Sequence, residues 1–138
     1  MSTFSGMDVV AEKPVGTETL KRVLAKVLSV SARRIAVIDD MANYPERTSA
    51  DVVCVITPVA GQYSVMLSIQ CNPLDLADGP IELGQRLAVE LGFRFLLPDD
   101  GPDPYVMWMV QPDAPAQTVF LEPEALDGER YVIRDDNS

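Results

Sequence analysis

The 138-residue sequence predicts an α+β fold on a mainly antiparallel sheet, with elements in the order α-β-β-β-α-β-β-β-β. Two segments repeat apolar residues at helical spacing. One long run alternates apolar and polar residues, as a half-buried strand does. The second half of the chain breaks into short β-rich runs separated by Pro, Asp and Gly.

Residues 1–16 carry Gly6, Pro14 and Gly16 without a clear period and are expected to form a loosely ordered arm. Leu20, Val23, Leu24, Val27 and Leu28 then fall at i, i+3, i+4, i+7 and i+8, a full helical stripe. Thr17 is placed to cap this helix, and Glu18 suits the positive end of its dipole. Ile35 to Ile38 is a short β-type run that enters a polar loop containing Pro45. Val52 to Ile56 is continuously apolar, as in a central strand. Tyr63, Val65, Leu67, Ile69 and Cys71 alternate with Ser64, Met66, Ser68 and Gln70, which predicts an antiparallel hairpin turning near residue 60. In that register Cys54 faces residue 65 or 66, and Cys71 lies beyond the end of its partner strand. Two free, mostly buried thiols are therefore expected.

Pro80 sits near the start of the second helix, where a missing N–H costs nothing, and Gly92 is placed for its C′ position. Leu83, Gly84, Leu87, Ala88 and Leu91 share one of its faces. Gly84 costs roughly 1 kcal/mol of helix propensity relative to Ala, which a close approach of the helix to the sheet would justify. Strands are expected at 93–97, 105–111, 117–121 and 131–133. The run Tyr105 to Val110 is apolar at every position, so both of its faces need covering. Tyr105, Met107 and Met109 are expected under the helices, with Val106, Trp108 and Val110 against the arm or a crossing loop. Trp108 is read first as core and second as a docking surface, since Trp and Tyr are enriched at interface cores.

Length and composition predict one domain over 17–134, between the arm at 1–16 and an acidic tail at 135–138. The first sixteen residues show neither a basic n-region nor an apolar h-region, so a cytoplasmic location is expected. The net charge of −10 is unevenly spread. Residues 1–47 hold seven Lys/Arg and six Asp/Glu, a charge of +1, and residues 48–138 hold four and fifteen, a charge of −11. Such a field repels nucleic acid and anionic membranes and steers basic proteins inward.

The absence of His removes Ser-His and Cys-His nucleophilic systems, and the two cysteines lack metal-site spacing. No cofactor, metal or catalytic residue is expected. The carboxylates cluster as Asp39, Asp40 and Glu46; as Asp99, Asp100 and Asp103; and as Glu122, Glu124, Asp127 and Glu129. The "DDGPDP" stretch departs from calcium-loop spacing and is first a turn. Its second reading, with the Glu122 to Glu129 cluster, Tyr105 and Trp108, is a surface that binds a basic protein. A carboxylate-based hydrolase is a further alternative that rests on residue type alone.

The stretch "DPYVMWMVQPD…VFLEPEALDGERYVI" resembles bacterial immunity proteins, which sequester a cognate toxin. It has a Pro-Tyr strand, a Pro-Asp turn and a strand closing on Arg130, Tyr131, Val132 and Ile133. The resemblance covers about the C-terminal third and implies a non-enzymatic toxin inhibitor. The first half of the predicted order is similar to type III secretion chaperones, which bind an effector segment. The C-terminus departs from that family by ending in strands and an acidic tail.

Overall fold

Both faces of one sheet are apolar, and the chain folds to cover each of them with a different part of itself. The structure is a computed structural model that describes residues 2–39, 50–76, 79–99 and 101–134. The strands are β1 (Ser2–Ala11), β2 (Ile35–Ile38), β3 (Val52–Pro58), β4 (Ala60–Gly61), β5 (Val65–Leu76), β6 (Phe95–Pro98), β7 (Val106–Gln111), β8 (Ala114–Phe120) and β9 (Arg130–Tyr131). The helices are α1 (Thr17–Leu28), α2 (Pro80–Leu91) and α3 (Pro123–Asp127). Seven strands form one mixed, mainly antiparallel sheet in the order β2-β3-β5-β1-β6-β7-β8, and β4 and β9 pair separately. The fold is α+β, as the sequence predicts. Among the described residues no helix is long and apolar enough to cross a membrane.

The expected loose arm is instead the central strand. Residues 2–11 pair with β5 along their length and with β6 at Val10 and Ala11, and Val9, Val10 and Ala11 are at most 2% exposed. Met7, Val9 and Ala11 point to the helix-covered face and Val10 to the other. Gly6, the bulge between Phe4 and Gly6, and the exposed Asp8 hide this alternation in the sequence.

Both helices lie on one face. The α1 stripe of Leu20, Val23, Leu24, Val27 and Leu28 is buried as the period requires. Its cap is Gly16, not Thr17, which is already helical: the Leu20 N–H donates to the Gly16 carbonyl at 3.0 Å. The α2 face of Leu83, Gly84, Leu87 and Ala88 is buried, and Leu91 is half-buried. A Cβ on Gly84 would fall 2.8 Å from a Leu97 methyl, which is the close approach that explains the glycine.

The β3–β5 pair forms, but in a different register. Cys54 lies opposite Ile69, and Cys71 opposite Val52. The connection runs longer than a tight turn, β5 starts at Val65, and Tyr63 packs on the other face. The thiols therefore sit diagonally on neighbouring strands, and neither is in a disulfide. Cys54 is buried and Cys71 half-buried. Desolvation pushes the Cys54 thiol up to about 12.

The two faces of β7 are exchanged relative to expectation. Trp108 and Val110 pack with the helix-face core, whereas Met107 and Met109 pack with Val10, Leu96, Val119 and Leu121 on the second face. An all-apolar strand carries no alternation from which to assign its faces. Tyr105 precedes the strand and is half-buried.

Arg94 ties the centre together. Its backbone N–H and its Nε each donate to the Glu12 carboxylate at 3.0 Å, while the Glu12 N–H donates to the Arg94 carbonyl at 3.0 Å. The guanidinium also lies 5.7 Å from the Tyr63 ring centroid, a cation–π distance. Burial pulls the Glu12 carboxyl up, but the Arg94 backbone and guanidinium bonds outweigh it and hold the group below its ordinary 4.5. Burial pushes the Tyr63 phenol up to about 12.

Two outcomes follow from this packing. Gly84→Val drives Leu97 from its seat and destabilises the protein by about 2–3 kcal/mol in urea unfolding, and adding Leu97→Ala recovers part of that loss. Since the folded Glu12 pKa is depressed, its stabilisation is present above the unfolded value and is lost as pH falls through the folded one. Glu12→Gln should thus destabilise at neutral pH, and the gap to the wild type should close below pH 4.5. A pH-independent gap would show that the ionised pair contributes nothing.

Candidate functional site

The C-terminal segment covers the second face. Pro123 opens α3 at a position that needs no N–H, and the Leu126 N–H donates to the Glu122 carbonyl at 3.0 Å. Glu129 takes a left-handed conformation (φ 61°) and turns the chain into β9. There the Tyr131 carbonyl accepts the Gln62 N–H at 2.8 Å, and the Val132 carbonyl accepts the Glu122 N–H at 2.8 Å. Leu126, Tyr131 and Ile133 rest on the second core.

The β6–β7 connection approaches this cover. Asp99 Oδ1 accepts the Gly101 N–H at 3.4 Å, and Asp103 Oδ1 accepts the Tyr105 N–H at 2.9 Å. Both aspartates thus shape the turn, the task their residue type predicts. The Tyr105 hydroxyl lies 3.5 Å from Asp127 Oδ1 and joins the connection to α3.

Between connection and cover lies a pocket of about 280 Å³, lined by Pro98, Pro104, Met107 and Leu126 with Asp99 and Tyr131. Its walls are apolar and its surroundings acidic. The Tyr131 phenol is raised from its ordinary 10, first by burial and then by the charges of Glu129 and Asp8. Asp99 lines the pocket, and Asp8 of β1 and Glu129 of the α3–β9 turn lie near enough to Tyr131 to act on its phenol. The ion pairs among the described residues are Lys26–Glu90, Arg34–Asp51 and Arg94–Glu12, so none of Asp8, Asp99, Asp103, Asp127 and Glu129 is neutralised by one. Arg130 shares the cover, is exposed and is likewise in no ion pair among the described residues.

The structure brings Asp99, Asp103, Tyr105 and Asp127 together. Glu122, Glu124 and Glu129 are exposed on the cover. Trp108 separates from them, since it packs half-buried on the opposite face against the helix-side core. Asp100, Asp40, Glu46 and the tail at 135–138 lie outside the described residues. Sequence reasoning missed Asp8 as a site residue, and it read Tyr131 only as part of a closing strand. Met7, Val9 and Ala11 flank Asp8 with a strand's alternation, but only over these few positions before Gly6 and the bulge interrupt it.

Among the described residues no group of three or more His, Cys, Asp or Glu is arranged to hold a metal ion. No protein-family model, curated protein or solved structure matches the chain.

The acidic field at the pocket has a spectroscopic readout. Asp8→Asn combined with Glu129→Gln removes two negative charges near Tyr131 and should lower its phenol toward 10, as followed by NMR of ring-labelled tyrosine. An unchanged titration would mean that the two carboxylates do not reach the pocket.

Proposed function

We propose that this chain is a non-enzymatic protein-binding protein that captures a basic partner, in the manner of an immunity protein sequestering a toxin. The observation that carries the reading is the acid-rimmed apolar pocket on the second face. A Lys or Arg side chain has an apolar stem and a charged head, and this site offers a complement to both. Met107 and Leu126 suit the stem, Asp99 suits the head, and Tyr131 offers a ring face.

Charge extends this complementarity beyond the pocket. The surplus of −11 over residues 48–138 favours encounter with a basic protein. The lack of His removes imidazole acid–base chemistry. Asp99 and Asp103 already have turn bonds to hold, which suits recognition better than proton transfer.

The test takes a basic protein recovered from the native host by affinity to this chain and measures association by stopped flow at several salt concentrations. Replacing Asp99, Asp127 and Glu129 together by Asn, Asn and Gln should slow association on the order of tenfold at low salt and flatten its salt dependence. Glu18→Gln on the distant α1 should leave both unchanged. An unaltered on-rate in the triple variant would remove the pocket from the interface.

A further inference from the structure

We infer that the partner docks an extended segment as an added strand on the edge of β1 that no described strand pairs, inside a fork where β1 and β6 diverge. This rests on the reading of the chain as a protein that captures a basic partner. It adds the mode of capture and the sequence pattern of the captured segment.

The fork follows from the chemistry of one residue. The Glu12 N–H donates to the Arg94 carbonyl at 3.0 Å, and the recorded β1–β6 pairing then covers Ala11–Phe95 and Val10–Leu96. In an antiparallel ladder, alternate residues turn their main-chain groups to the same neighbour. Glu12, Val10, Asp8 and Gly6 thus face β6, while Ala11, Val9 and Met7 face β5. The next rung would set Asp8 against Pro98, which has no N–H to give, and the pairing stops there. Beyond it β6 stays with β7 through Pro98–Met107, and β1 stays with β5 as far as Ser2.

The fork encloses a cavity of about 310 Å³, lined by Gly6, Met7, Asp8, Pro80, Leu97 and Pro98. Gly6 and Asp8 are exposed. Gly6 has φ +146°, and a Cβ there would fall 2.4 Å from the Ile69 carbonyl oxygen of β5, so the bulge requires glycine at this position. Among the described residues, the main-chain N–H and C=O of Gly6 and Asp8 have no strand to pair with on this side. Such an edge is a template for strand addition.

The two faces of the fork differ, and this selects the occupant. On the helix-covered face an added strand meets Met7 and Leu97. On the other face it meets Asp8 and then the acid-rimmed pocket, with Pro98 lining both cavities. Side chains of an added strand alternate between these faces. The segment that fits therefore alternates apolar residues with Lys or Arg. A second copy of this chain fits poorly, because pairing two β1 edges about a two-fold axis would oppose like charges at Asp8 and on two chains of net charge −10.

The test uses the full chain and three acetylated octapeptides, with binding measured by calorimetry and mapped by amide NMR. The first alternates lysine and valine, the second is the same peptide N-methylated at alternate amides to block strand pairing, and the third alternates glutamate and valine. The inference expects the lysine peptide to bind and to shift the Gly6 and Asp8 amides. It expects N-methylation to weaken binding roughly tenfold or more, and the glutamate peptide to fail. Equal binding of the methylated and unmethylated peptides would overturn strand addition while leaving acidic capture intact. Binding of the lysine peptide no better than the glutamate peptide would overturn acidic capture, and this inference with it. A stable dimer that the lysine peptide does not dissociate would assign the edge to a second copy and overturn the inference.

Discussion

The structure depends on one constraint: its sheet is apolar on both faces, and each face needs a cover. Two amphipathic helices suffice for one face, where α1 and α2 bury Val9, Leu67, Phe95 and Val110 beneath them. The other face carries Val10, Leu96, Met107, Met109 and Val119, and among the described residues no long helix remains for it. The C-terminal segment does this work through Leu121, Leu126, Tyr131 and Ile133, held by backbone bonds to Gln62 and Glu122. Arg94 joins the two sides, since its bonds to Glu12 fix β1 to β6 and its guanidinium stacks over Tyr63 in the second core.

A small cover on a broad face leaves openings, and the openings are where function can reside. The pocket beside Tyr131 lies at the margin of the cover, and the fork lies where Pro98 ends the β1–β6 ladder. Carboxylates from distant parts of the chain meet at this margin, and no ion pair among the described residues neutralises them. The Tyr131 phenol is raised there, first by burial and then by the charges of Glu129 and Asp8. A surface arranged in this way stores unfavourable like-charge proximity that a basic partner would relieve.

How much of this was legible in the sequence depended on whether periodicity was present. The α1 stripe, the α2 face and the reason for Gly84 were readable because i, i+3, i+4 spacing and a costly glycine are local signals. The strand β1 was not, because Gly6 and a bulge interrupt its alternation and Asp8 projects from an otherwise apolar run. The faces of β7 could not be assigned, since a strand apolar on every residue has no phase. At five residues α3 is too short to show a period. The site was half visible: residue type marked Asp99, Asp103, Tyr105 and Asp127 but grouped Trp108 with them. Only the pairing of β1 into the sheet centre could bring Asp8 to Tyr131.

The account turns on β1 being a central strand that, among the described residues, is paired on one side and unpaired on the other at its first half. Native-state hydrogen exchange, resolved at single amides by NMR, tests this most directly. Met7 and Val9 turn their N–H groups to β5 and should exchange slowly, near the rate set by global unfolding, while Gly6 and Asp8 should exchange orders of magnitude faster. Uniform protection from Gly6 to Val9 would mean the fork is closed, and uniform lability would mean that β1 is not the centre of the sheet.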